Sequence, residues 1–347
     1  MKSCYINGIG SVSIQEPLFD VFQSNPEPIA YINRSKQPSY KELIAPAMSR
    51  RMAKGIKMSI YATDVAMKEA QVTHLDAIVV GTSLGCIEDS EKFLQAVIEN
   101  EEEYLTPTAF IQSTHNTVAG QIALQYQCKA YNFTFVNGGS SFESALFDAC
   151  LQMRFNNAST LLLGGVDEIA PYTYSMFEFV DRVKKEGDEI NFMSPISVGV
   201  PYGEGATFFV LSTEKSPTTY AEVIDVCIQN QLASTPAEFI ESFLKRNRLE
   251  QPSAVMFGVN ADQNQQEFYT ECSTYFKDVP QFYYQHISGS YDTASAFGLK
   301  ISAEIIKKQE IPNVVQYNGL NVATIQSILV INQSLGTDFS LTLLASC

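Results

Sequence analysis

The 347-residue chain predicts a layered α/β protein. Three observations point there. Short β-rich runs alternate with longer segments of helical periodicity, several of the runs are apolar throughout, and glycine turns close a strand just before a helix opens. A run that is apolar at every position is what a strand covered on both faces requires.

Taken in order, Ser3 to Ile9 reads as a strand closed by Gly8 and Gly10. Residues 53–70 (AKGIKMSIYATDVAMKEA) carry apolar positions at helical spacing, and Asp76 to Val80 is a buried strand entering the turn GTSLG. Asn116 to Tyr126 reads as a helix and Tyr131 to Asn137 as a strand. Phe142, Ala145, Leu146, Ala149 and Met153 share one helix face. A strand at Ser159 to Leu163 is followed by a loop-rich stretch to Val200 and a strand at Ala206 to Ser212. The polar segment STEKSPTTY (212–220) divides the chain into an N-terminal half over residues 1–215 and a shorter second half over 216–347. The second half carries a strand at Ala254 to Phe257, a helix over 294–308, and two closing strands, SILVIN and SLTLLAS. No repeat of fixed period is evident.

Composition narrows the function classes. Hydrophobic residues are 45% and charged residues 18%, enough for a large core and too ordered a mixture for disorder. With 23 basic against 38 acidic residues, the charge of −15 argues against nucleic acid or an anionic membrane as partner. No apolar run is long enough to span a bilayer, and the opening MKSCYINGIGSVS lacks the apolar stretch of a signal peptide. The seven cysteines form no CxxC pair, which predicts reduced thiols in a cytoplasm and no metal site. The basic clusters Arg50, Arg51, Lys54, Lys57 and Lys245, Arg246, Arg248 read as solvated helix faces.

Two segments have the form of reactive turns. In Tyr131 to Met153 a strand runs into Gly138 and Gly139, and Ser140-x-x-Glu143 reads as a capping box opening a helix. Free amides at such a helix start stabilise an anion, so a thiol there would be activated; the turn residue is instead glycine. Gly81-Thr82-Ser83-Leu84-Gly85 satisfies G-x-S-x-G after a strand, with Asp262 or Asp292 and His286 as formal partners. The polar CIEDSEKFL that follows and the lack of an oxyanion-hole motif favour a plain glycine loop.

Nine fragments together resemble the β-ketoacyl synthases of the thiolase superfamily. YINGIGSVS resembles the family's first strand, Ser49-Arg50-Arg51-Met52 its R-R-M segment, and GTSLGCIEDSEKFL its glycine loop. LTPTAFIQSTHNTVAGQIALQY is similar to the family's P-x-x-x-x-N-x-x-A-G-x-I-A stretch, and YNFTFVNGGSSFESAL stands at the nucleophile strand and helix. LLLGGVDE, PYGEGATFFVLS, HISGSYDTASAFGL and SILVINQSLGTDFSLTLL follow in the family's order. The resemblance implies a thiolase-like fold, with two related α-β-α halves in five layers, and chemistry on acyl carrier protein without a metal or cofactor.

The family's Cys, two His and Lys are all replaced. The register puts Gly139 at the nucleophile, Phe257 at the first His, Gln285 at the Lys and Ser290 at the second His; His286 is expected to point elsewhere. Glycine and phenylalanine supply neither a thiolate nor a donor to an oxyanion. The resemblance therefore implies a subunit that pairs with an active ketosynthase and shapes its acyl tunnel, as a chain length factor does, in the manner of aryl polyene or flexirubin systems. The carrier protein would then dock mainly on the catalytic partner. Two other readings stay open: an acyltransferase using Ser83, Ser140 or Cys150, and an acyl-binding scaffold without catalysis.

Overall fold

A computed structural model describes residues 2–17 and 19–347. In chain order the elements are β1 (Tyr5–Val12), β2 (Ile32–Asn33), α1 (Pro46–Ser49), α2 (Lys54–Ala70), β3 (Ala77–Gly81), α3 (Ile87–Glu99), α4 (Pro107–Ser113), α5 (Thr117–Gln125), β4 (Tyr131–Phe135), α6 (Ser141–Arg154), β5 (Thr160–Asp167) and α7 (Pro171–Phe179). They continue with β6 (Tyr202–Gly203), β7 (Gly205–Ser212), β8 (Ala221–Gln229), α8 (Pro236–Arg246), β9 (Ala254–Phe257), α9 (Gln266–Tyr275), β10 (Gln281–Tyr283), α10 (Gln285–Ser288), α11 (Ser295–Lys308), β11 (Ser327–Ser334) and β12 (Thr337–Ala345).

Ten strands form one sheet in the order β10-β9-β11-β12-β8-β1-β7-β5-β3-β4. Read outward from its centre, the order is the same on both sides. β1-β7-β5-β3-β4 and β8-β12-β11-β9-β10 each begin with two antiparallel steps and end with two parallel ones. The repeat is topological and leaves no periodicity in the sequence. Within the sheet the two halves meet where Tyr5 and Ile6 of β1 pair with Glu222 and Ala221 of β8.

Period-two alternation sorts the strand side chains into layers. In β3, Ala77 and Val79 face inward with α6, while Ile78 and Val80 face α2 and α5. In β9, Ala254 and Met256 face inward, and Val255 and Phe257 face out against α8 and α9. The helices α6 and α11 share the inner cluster, so the layers run helix, sheet, helix, sheet, helix. This is the thiolase-type arrangement. Gly10 lets α2 lie directly on β1, since a Cβ there would fall 2.0 Å from the carbonyl oxygen of Ala62.

Several local expectations change. The stretch read as loop-rich after Leu163 contains α7, and the polar segment after Gly85 forms α3, whose acidic Glu88 and Asp89 sit in its first turn. Lys54 is no solvated charge: it reaches 2.7 Å from Glu204, which is 1% exposed. The capping box at Ser140 does not form. Ser140 is the N-cap residue, but its hydroxyl caps nothing, and Glu143 turns into the core toward Ser340. The neighbouring Ser141 hydroxyl bonds the turn instead, accepting from the Asn137 amide and donating to the Gly138 carbonyl.

Candidate functional site

The site gathers at the carboxyl ends of β4, β9, β10 and β11, where open α/β sheets place their crevices. β4 delivers Gly138 and Gly139 to the start of α6. Gly138 takes φ +52°, a turn conformation that glycine adopts without strain. Gly139 is small for another reason. The β11–β12 turn presses onto it, so that a Cβ on Gly139 would lie 2.2 Å from the Cβ and 2.7 Å from the Oγ of Ser334. The space that a side chain at residue 139 would need is occupied.

Beside this contact is a cavity of about 60 Å³, lined by Gly139, Gln285, Ser290, Asn260, Gln265 and the 332–335 turn, among others. That volume holds a water or two and no acyl chain. Gln285 donates to the Gly258 carbonyl (3.1 Å) and accepts from the Ser290 hydroxyl. Ser290 is held by Gly289, which packs on Gly203, and by backbone bonds to Pro201 and Gly203.

The structure thus brings Gly139, Gln285 and Ser290 together. Phe257 is elsewhere: its place in the β9 alternation turns it outward, where it packs edge-on to Tyr269 and Tyr317. From the same segment it is Asn260 and Gln265 that reach the cavity. Asn260 donates to Gln265 (2.8 Å), Gln265 donates to Asp262 (2.8 Å), and Gln333 donates to Gln265 (2.6 Å). Tyr284 donates to Asn332 (2.7 Å). Part of the wall is therefore neutral amides, of which Asn260, Gln265 and Gln333 are bonded to one another. The signal in the sequence was the run N-A-D-Q-N-Q-Q, unusually amide-rich, and it carries no chemistry of its own.

Among the described residues no thiol, imidazole or lysine amine lines the cavity. The cation among the described lining residues is Arg182, held on Asp292 through two bonds of 2.9 and 3.1 Å and lying 4.3 Å from the Phe177 ring centre. Nearby Asp167 accepts from Thr82, Thr293 and the amides of Ser83, Leu84 and Thr293. Burial, then Asp292, push its carboxyl up against those five donors. This clip fixes the GTSLG turn, so Ser83 belongs to a structural loop, and Asp292 serves Arg182 rather than a histidine.

His286 stacks on Tyr283 with ring centres 3.8 Å apart and bonds the Val314 carbonyl at 2.7 Å; burial drops its pKa to about 4, leaving it neutral. Cys150 is buried in the inner cluster beside Cys4. Ser140 is buried with its hydroxyl unpartnered, and so is one oxygen of Glu143, whose pKa burial raises to about 7. Among the described residues no three His, Cys, Asp or Glu side chains are grouped to hold a metal ion, and no helix is long and apolar enough to cross a membrane.

The family profile for the β-ketoacyl synthase N-terminal domain matches residues 23–186. No curated protein sequence matches the chain. Among solved structures, the ishigamide ketosynthase/chain length factor aligns with TM-score 0.82 and 15% identity, covering 100% of this chain and 99% of its own. A β-ketoacyl synthase from Burkholderia phymatum STM815 aligns with TM-score 0.81 and 15% identity, covering 100% of both. The ketosynthase ApeO in complex with its chain length factor ApeC, from Xenorhabdus doucetiae, aligns with TM-score 0.74 and 12% identity, covering 100% of this chain and 98% of that one. Residues 23–186 thus match the β-ketoacyl synthase N-terminal domain, and the chain shares the ketosynthase fold along its whole length.

Proposed function

We propose that this protein is a non-catalytic, chain-length-factor-like subunit that pairs with an active β-ketoacyl synthase and shapes the acyl tunnel during polyketide or polyene chain building on acyl carrier protein. The observation that carries this reading is the contact of Gly139 with Ser334, which leaves no room for a nucleophilic side chain at the turn where the family keeps one. The neutral amides at Gln285 and Asn260 add to it, since decarboxylative condensation needs a thiolate and cationic or imidazole donors. The aryl polyene or flexirubin setting rests on resemblance alone.

A pairing surface is at hand. β4 is the last strand of the sheet, and its open edge carries Tyr131 and Phe133, 39% and 47% exposed, with Val136 and Phe147 exposed nearby. An exposed aromatic edge strand is a template for joining another sheet. A partner paired there would lie beside the Gly139 turn and could share a cavity that this chain does not enclose alone.

The test is co-purification with a Cys-containing ketosynthase and an elongation assay with and without this chain. A stable complex, product length that depends on this chain, and no acyl mass on it are expected. An acyl adduct on the isolated chain, at Ser140, Ser83 or Cys150, would overturn the reading in favour of a catalytic acyltransferase. A homodimer indifferent to any ketosynthase would favour a scaffold.

A further inference from the structure

A second cavity, of about 390 Å³, lies far from the amide wall in character and composition. It opens between β1, α2 and the last turns of α11, where the two halves of the sheet part. Beyond Ile6, β1 pairs only with β7, so its other edge is open along the cavity. The Ile9 amide on that edge donates to Glu69 (2.8 Å), and two-residue alternation puts the peptide groups of Ser11 on the same open edge. Val12, Tyr61, Val65 and Phe297 supply apolar wall.

Four lysines line it in a chain whose net charge is −15. Three are matched by carboxylates: Lys36 by Glu16 and Glu27, Lys300 by Glu304, and Lys308 by Asp20. Lys307 is different. Its ammonium donates to the Thr218 carbonyl (2.6 Å) and sits 3.8 Å from the centre of the Tyr220 ring, with no carboxylate within 4.0 Å among the described residues. Glu69 and Glu304 act on it only from further away, while burial lowers its pKa. An ammonium at the exposed mouth of the cavity with no carboxylate partner, beside apolar wall and open peptide groups, is complementary to one anionic head on an apolar body. The volume lies in the range of small-molecule sites.

We propose that this cavity binds a small monocarboxylate, its head at Lys307 and its apolar body against Val12, Val65 and Phe297. The site is independent of any ketosynthase partner and of the Gly139 turn.

Calorimetric titration of the full chain with octanoate, and with 1-octanol as the uncharged counterpart, tests it. Octanoate should bind saturably at one site, at least about tenfold tighter than octanol. Lys307→Met should weaken octanoate by about tenfold and leave octanol unchanged, and Val65→Phe should remove both by filling the cavity. Absence of saturable octanoate binding, equal affinity for octanol, or full octanoate binding by Val65→Phe overturns the proposal. Should Val65→Phe not fold, a photoreactive octanoate analogue supplies the same decision on the natural chain: labelling at Tyr61, Tyr220 or Phe297 supports the site, and labelling elsewhere overturns it.

Discussion

Ser334 stands against Gly139 so closely that the Cβ glycine lacks would meet the serine Cβ at 2.2 Å. Real side-chain carbons do not approach so near, so one residue at this point excludes a side chain on the other. The two come from different halves of the fold, one after β4 and the other at the end of β11.

Gly139→Cys should therefore destabilise the protein without creating activity. Forcing a side chain into a filled site costs roughly 1–3 kcal/mol, visible as a lower denaturation midpoint. Pairing it with Ser334→Gly should restore most of the stability. Intact-mass analysis with an acyl carrier donor should find no acyl group on either variant, because the surrounding donors are amides; robust acylation of Gly139→Cys would refute this account of the site.

Glu143 predicts a pH dependence. Its carboxyl is buried, with one oxygen unpartnered, and its pKa is raised from 4.5 to about 7, burial being the main cause. The folded state then holds a proton that the unfolded state releases. This contribution to stability is complete below about pH 4.5 and is lost as pH rises through 7. Glu143→Gln should remove the dependence and, on the order of 2 kcal/mol, be the more stable protein at pH 8. Urea titrations at pH 5 and 8 measure it; equal gains at both values would mean that ionisation is not the cause.

Lys54 gives the opposite kind of test. It lies 2.7 Å from Glu204 and 3.5 Å from Glu88, and it also acts on buried Glu168. Lys54→Met should cost about 3–5 kcal/mol by leaving a buried carboxylate unmatched. Adding Glu204→Gln should recover a substantial part, a coupling that independent sites would lack.

The proposed pairing is tested at the edge strand. Phe133 is 47% exposed and lies between Tyr131, on which it stacks, and Phe135, to which it is tilted, with ring centres 6.1 and 4.9 Å away. Phe133→Arg should leave the monomer's thermal stability within about 0.5 kcal/mol, as a surface change does, and abolish co-purification with a ketosynthase. Undiminished complex formation would move the interface away from β4.

The framework of the fold was legible because its signals are local and strong. Apolar runs such as Asp76 to Val80 could only be buried strands, and the face of Phe142, Ala145, Leu146, Ala149 and Met153 could only be a packed helix. The glycine pair at the start of α6 was also legible, but the packing at Gly139 was not, since Ser334 is brought there by the tertiary fold. Phe257 marks the limit of reading a register from fragments. The strand's alternation decides which way it points, and the loop after it, not the strand, reaches the cavity. Glu143 was mistaken for a cap because its spacing from Ser140 suits one; only the burial of both shows the polar pair turned inward.

The meeting of Gly139 and Ser334 also bears on the protein's history. A gene that acquired a cysteine codon at position 139 would first encode a less stable protein. Room for that side chain needs a second change far along the gene, at Ser334. The contact thus ties position 139 to position 334, and a side chain enters the turn only by two coordinated changes.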